Sequence, residues 1–293
     1  MPLIPLARML ATAQANHFAV GAFNGVDSHF IDAIFDAAKR LSAPVIINVA
    51  EVHLKFFELE DIAAYVKYKA ASTGLPVTLN LDHGVTLPTV KRAIAAGFTS
   101  VMFDGSHLSY EDNVATTAEV VGLCHARGIS VEGELGAVGG DEGGNLEGAA
   151  STALYTDPAQ ADDYVRRTGI DALAVAIGNS HGKYKGVPKL DFDRLATLRD
   201  TVSVPLVLHG GSGLSPDDFR HTIKLGIAKI NFFTGMSQAV LAALKDGIAD
   251  TTIAAKYDHY LFLMQRARQD IAKAVAEQIE IFGSVGKAAS YDN

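Results

Sequence analysis

The chain is predicted to fold as an α/β protein, a (β/α)8 TIM barrel with a C-terminal helical extension. Three observations predict it. Short apolar runs alternate with helical patterns eight times along the 293 residues, and strict alternation implies parallel strands whose eight repeats close on themselves. Three of the runs end alike. Leu79-Asn80-Leu81 leads into Asp82-His83-Gly84, Ala172 to Ile177 leads into Asn179-Ser180-His181-Gly182, and Val204 to Leu208 leads into His209-Gly210-Gly211-Ser212-Gly213. At roughly 30 residues per repeat, His181 and His209 stand about one repeat apart and His83 and His181 about three. All three imidazoles then lie at the carboxyl end of one barrel. A doubly wound open sheet is the alternative; it gathers ligands at one crevice rather than over the ends of strands three, six and seven.

The strand candidates are Phe18 to Phe23, Pro44 to Val49, Val77 to Leu81, Ser100 to Phe103, Ser130 to Glu134, Ala172 to Ile177, Leu206 to Leu208 and Lys229 to Phe232. Most are short and apolar, as strands covered on both faces must be. Asp27 to Leu41 carries Phe30, Ile31, Ile34, Phe35 and Ala38 at helical spacing, capped by Asp27 or Ser28. Further helical patterns run over 58–73, 87–96, 111–127, 158–168, 191–200, 215–225 and 234–247. The start, Met1 to Ala13, has Arg8 inside its apolar run and no basic leader, and reads as a short helix plugging one end of the barrel.

Two segments exceed the repeat. Leu135 to Ala153 is glycine-rich around Asp141-Glu142, with the length and flanking glycines of a hinged lid. The arm from Thr251 to Asn293 is mostly helical, with Asp270 to Ile281 amphipathic and a loose tail from Gly283. It lies either on its own barrel or across a neighbouring subunit. The chain, 1–293, reads as one domain with this arm at about 251–293.

A net charge of -8 argues against nucleic acid, which needs a basic face, but not against small phosphorylated substrates. The single cysteine, Cys124, rules out an internal disulfide and fits a reducing cytoplasm; its apolar helical setting marks a packed, inert thiol. No run of about 18 apolar residues is free of charge, which excludes a membrane-spanning helix.

Three converging imidazoles with an open fourth position form the ligand set of a catalytic zinc site. Asp82 precedes His83, so strand alternation turns its side chain to the other side of the strand, beside the pocket and able to pass a proton; a helix cap is its other reading. Asp104 ends strand four, and Glu132 and Glu134 end strand five on one face. These carboxylates either fix the imidazole tautomers, form an auxiliary cation site, or pair with Lys or Arg. Gly210-Gly211-Ser212-Gly213 gives a backbone that turns amides towards an anion, and Asn231 and Thr234 follow strand eight, where barrel enzymes bind phosphate. Lys185 adds a charge there or is simply solvated. A zinc, a mobile carboxylate and a phosphate cradle suit enediolate chemistry on a ketose phosphate, an aldol cleavage or an isomerisation.

The chain resembles the class II, zinc-dependent ketose-bisphosphate aldolases of the fructose- and tagatose-bisphosphate type. The motifs are Ala22-Phe23-Asn24, Leu81-Asp82-His83-Gly84, Val131-Glu132-Gly133-Glu134-Leu135-Gly136, Asn179-Ser180-His181-Gly182 and Leu208-His209-Gly210-Gly211-Ser212-Gly213. The resemblance implies that His83, His181 and His209 bind zinc, that Asp82 protonates the aldehyde oxygen, and that Glu142 is the base at the ketose carbon. It makes Asp104 and Glu134 an alternate or second divalent metal site. It gives Asn24 the orienting of substrate, and Gly182, Gly210, Gly211, Ser212, Asn231 and Thr234 the binding of dihydroxyacetone phosphate, with Na+ or K+ nearby. A homodimer or homotetramer is implied as well. A zinc hydrolase on the same barrel, a non-catalytic aldolase-like subunit, and a Schiff-base aldolase using Lys183 or Lys185 are the competing readings. The hydrolase usually needs a His-x-His pair at strand one, where Phe23-Asn24-Gly25 stands.

The chain departs from the family pattern at three places, one of them the arginine that takes the far phosphate. After strand eight relatives read Asn-x-Asp-Thr or Asn-x-Ala-Thr, and here it is Asn231-Phe232-Phe233-Thr234. After strand two a hydroxyl gives way to Ala50-Glu51-Val52-His53, and the Asp-Pro-Arg stretch of the arm to Tyr257-Asp258-His259-Tyr260-Leu261. A charged hydrogen bond contributes about 1.5–3 kcal/mol, so loss of that arginine weakens binding of a second phosphate by tenfold to over a hundredfold. Matched ketose 1-phosphates should therefore be cleaved with higher kcat/KM than the 1,6-bisphosphates. A preference for fructose or tagatose bisphosphate would mean that Arg266 or Arg268 reaches the site.

Overall fold

Covering a strand on both faces demands apolar side chains at nearly every position, and eight runs of this chain supply them. In the computed structural model, which describes residues 3–139, 155–182, 186, 188–252 and 260–291, they form β1 (Val20–Asn24), β2 (Val45–Ala50), β3 (Val77–Gly84), β4 (Ser100–Phe103), β5 (Ser130–Leu135), β6 (Ala172–Val175), β7 (Leu206–Leu208) and β8 (Ile227–Phe232). The strands pair in parallel in sequence order, and β8 closes on β1, giving the expected TIM barrel. Helix α1 (Leu6–Ala15) precedes the barrel. Helices α2 (Ser28–Leu41), α3 (Leu59–Thr73), α4 (Leu87–Ala96), α5 (Tyr110–His125), α6 (Pro158–Thr168), α7 (Phe192–Thr201), α8 (Pro216–Lys224) and α9 (Thr234–Ala249) follow β1 to β8 in turn, and α10 (Tyr260–Ile281) completes the arm. Caps set several helix starts: Asp27 accepts from the Phe30 N–H at 2.9 Å, and Ser215 and Asp218 form a reciprocal capping box.

Two cores result. Between helices and sheet pack residues such as Phe35, Ile47, Leu79, Val101 and Leu173. Inside the barrel, Val20, Ala22, Ile46, Met102, Ala174 and Val207 meet Leu6, Met9 and Leu10 of α1. The plug is tied to the amino ends of the strands: the Ile4 N–H donates to the Val77 carbonyl and Thr78 Oγ1 to the Ile4 carbonyl, both at 2.8 Å, and the Ala7 N–H donates to Ser130 Oγ at 3.0 Å. With that end sealed, the carboxyl mouth is left for chemistry. Burial pushes the Cys124 thiol up to about 11, the inert state its setting predicts. No helix among the described residues is long and apolar enough to cross a membrane.

The arm lies against its own barrel. Helix α10 packs on α2 and α9, and Arg268 donates to Asp36 and Asp32 of α2 at 2.8 Å each. The tail after Gly283 is not loose. The Gly286 and Ala288 N–H groups donate to the carbonyls of Leu41 and Ser42, both at 2.9 Å. A short 3-10 turn over Lys287–Tyr291 then buries Tyr291, whose hydroxyl donates to the Met9 carbonyl at 2.9 Å. Replacing Tyr291 with Ala should destabilise the protein by about 3 kcal/mol, the scale for truncating a buried aromatic, and lower its urea midpoint. An unchanged midpoint would mean the tail contributes nothing to the fold.

Candidate active site

The mouth is built around an irregularity in β3. Leu81 pairs with Val101 and Gly84 with Phe103, so Asp82 and His83 together oppose the single residue Met102. His83 takes a positive φ of 43°, a left-handed conformation uncommon outside glycine. This bulge corrects the expectation that Asp82 and His83 point to opposite sides. Both turn inward: Asp82 Oδ1 accepts from Asn231 Nδ2 of β8 at 3.0 Å, while His83 Nε2 lies 2.9 Å from His209 Nδ1.

His209 directly follows β7 and is fully buried. His181 follows β6, and its N–H donates to the Gly139 carbonyl at 2.6 Å. The three ring centroids are 4.7 to 5.8 Å apart. A carboxylate stands behind two of the rings. Asp104 Oδ2 is 2.8 Å from His83 Nδ1, and Glu132 Oε1 is 2.8 Å from His209 Nε2. Neutral imidazoles donating to those carboxylates direct the lone pairs of His83 Nε2 and His209 Nδ1 at each other, an arrangement that calls for a cation between them. One ligand atom from each of His83, His181 and His209 lies within 4.8 Å of the others, and the same holds for His83, Asp104 and Glu134. The first group, all nitrogen, fits zinc. The second shares His83, whose neutral ring has one lone pair to give, so the two positions compete for it.

Burial opposes the charge on Asp104, but the hydrogen bonds from His83 and Ser106 outweigh it and hold this carboxyl well below its usual range. Burial first, then the charge on Asp104, lifts the Glu134 carboxyl well above its own. A cation at this pair would favour ionised Glu134, a response suited to an auxiliary metal position.

Asn24 ends β1 with both side-chain polar atoms buried and without hydrogen-bond partners among the described residues, and Asn231 Oδ1 is in the same state. Such atoms suit a ligand with several hydroxyl or phosphate oxygens. After β7, Gly210 has φ 65°, and a Cβ there would collide with the Ser180 carbonyl. Ser212 Oγ accepts from the Gly235 N–H at 3.1 Å, joining the glycine loop to the start of α9. Thr234 opens that helix, whose N-terminus favours an anion. Gly182, with φ 75°, follows His181, and Gly211 lies against β8 through the Asn231 carbonyl.

Glu142 and Lys185 lie outside the described residues. Lys229 was not expected at the site: its ammonium, buried inside the barrel, donates to Glu132 Oε2 at 2.6 Å. The signal was a charged residue inside the fully buried strand Ile227–Phe232. Asn179 was not expected to support His209, yet its Nδ2 donates to the His209 carbonyl at 3.1 Å.

The model of class-II fructose-bisphosphate aldolases matches residues 4–287. A probable fructose-bisphosphate aldolase of Bacillus subtilis (strain 168) is 41% identical over 98% of this chain and 100% of its own length. A fructose-bisphosphate aldolase of Staphylococcus aureus is 39% identical with the same coverage. The crystal structure of the YdjI aldolase from Escherichia coli K12 superposes with a TM-score of 0.85 at 35% identity, covering 98% of this chain and 99% of that one. The chain therefore belongs to the class-II fructose-bisphosphate aldolase family.

Proposed function

We propose that this aldolase is zinc-dependent and reversibly cleaves a ketose 1-phosphate to dihydroxyacetone phosphate and an aldehyde. The observation that carries this reading is the convergence of His83, His181 and His209 beside the buried carboxylate of Asp82. Zinc held by the three imidazoles would polarise the ketose carbonyl and so acidify the adjacent C–H. The other tasks fall to the chain. Asp82, oriented by Asn231, moves a proton to and from the aldehyde oxygen. Glu142, on the strength of its motif, takes the proton from the ketose carbon in the direction of synthesis. Asn24 and Asn231 offer unused polar atoms to the substrate, and the main chain of Gly210 and Gly211, with Gly182, Ser212 and Thr234, holds the phosphate. A Na+ or K+ ion serves there as in the family, and Lys185 is a cation the sequence offers for the same phosphate. A second divalent cation at Asp104 and Glu134 is an alternative position sharing His83.

The far end of the site favours an aldehyde without a phosphate. Arg268 is committed to Asp32 and Asp36 on α2, and Arg266 faces Asp250 at 3.8 Å. Phe233 packs against His53, with ring centroids 4.9 Å apart, and against Phe30 at 6.4 Å. That aromatic contact stands where relatives carry Asp or Ala beyond β8.

Chelation should abolish cleavage and zinc restore it, and His209→Ala should lose both metal and turnover; elemental analysis alongside an aldol-cleavage assay reads both. Full activity in metal-free protein would remove zinc from the mechanism. Glu142→Gln should leave dihydroxyacetone phosphate binding nearly intact and slow proton exchange at its hydroxymethyl carbon about 100-fold or more. Exchange at the wild-type rate would assign the proton to another carboxylate, with Asp141 the nearest in sequence.

A further inference from the structure

We infer that Lys229 and Glu132 are a buried positioning pair that fixes which nitrogen of His209 is offered to the metal, and so sets the affinity of the site. This rests on the reading of the three histidines as a metal centre. Lys229 Nζ lies 2.6 Å from Glu132 Oε2, Glu132 Oε1 lies 2.8 Å from His209 Nε2, and all three side chains are fully buried. β5 and β8 are not neighbours in the sheet, so the lysine reaches its partner across the interior of the barrel.

Stability does not account for this arrangement. A buried ion pair is at best a weak stabiliser, and apolar side chains of similar volume often serve a fold better. The geometry supplies a different reason. An ammonium only donates, so it holds Oε2 as an acceptor and anchors the carboxylate. The remaining oxygen, Oε1, then accepts the Nε2–H of His209. A neutral imidazole carries one N–H, so the lone pair is left on Nδ1, the nitrogen that faces His83 Nε2 at 2.9 Å. His83 is served in the mirror sense: Asp104 takes its Nδ1–H and is itself held by the Ser106 N–H at 3.0 Å. One imidazole is thus oriented through a main-chain amide and the other through a lysine. Lys229 touches no ligand nitrogen itself; it acts through Glu132.

The test is zinc affinity of the full chain, read by competition with a chromophoric chelator, together with the visible spectrum of the cobalt(II) form. The proteins are wild type, His209→Ala, Lys229→Met and Lys229→Met/Glu132→Gln. Both pair variants should bind zinc about 10- to 100-fold more weakly and show shifted cobalt ligand-field bands, which a loss of packing alone would not move. The double variant buries no lone charge, so its metal-free form should melt at or above the wild-type temperature; it decides the matter if Lys229→Met does not fold. Wild-type zinc affinity and cobalt bands in the folded pair variants, with zinc lost in His209→Ala, would overturn the positioning role alone. A wild-type protein that binds no zinc, or keeps it in His209→Ala, would overturn the metal-site reading on which the role rests.

Discussion

Period-two alternation lets only one of two consecutive strand residues face a barrel's interior, and this site needs two. The bulge that sets Asp82 and His83 against Met102 resolves the conflict, with His83 at φ 43° as its local cost. Holding a non-glycine residue in that region costs on the order of 1–3 kcal/mol and persists only where the surroundings determine it. Here they do: the His83 N–H points at Met102 Sδ, Nδ1 is held by Asp104, and Nε2 meets His209. Without the extra residue one of the pair would turn into the helix layer, and the carboxylate and imidazole could not share one reacting centre.

The barrel interior changes character from one end to the other. At the amino end it is apolar and closed by α1. At the carboxyl end it gathers Asp82, Glu132, Glu134 and Asp104 around the three imidazoles, with Lys229 as the ammonium among them. Burial first, then the charge on Asp104, pushes the Glu134 carboxyl up, while hydrogen bonds from His83 and Ser106 hold that of Asp104 down against its own burial. Such a set is poorly balanced by itself and well balanced around a divalent cation.

The fold was legible because it depends on local pattern. Strand and helix limits fall within a few residues of those read from the run of apolar positions, and the three histidines were placed by their phase in the repeat. What was misread depends on contacts distant in sequence. The direction of Asp82 follows from a register shift against β4. Lys229 looked like the polar edge of a strand beginning at that residue, and only Glu132, across the barrel, explains its burial. The tail looked loose because its order comes from α1 and the end of α2, both far away in the chain.

The carboxyl mouth of the barrel is made of two kinds of material. Beyond β6 and β7 the chain presents main-chain groups, and a Cβ at Gly210 would both strain the backbone and strike the Ser180 carbonyl. Little can change there without moving β6 and β7. The rim beyond β2 and β8 is instead made of side chains, Phe233 against His53 and Phe30. Main-chain geometry of the first kind is set by the fold itself, whereas side-chain contacts of the second kind are set by the few residues that make them.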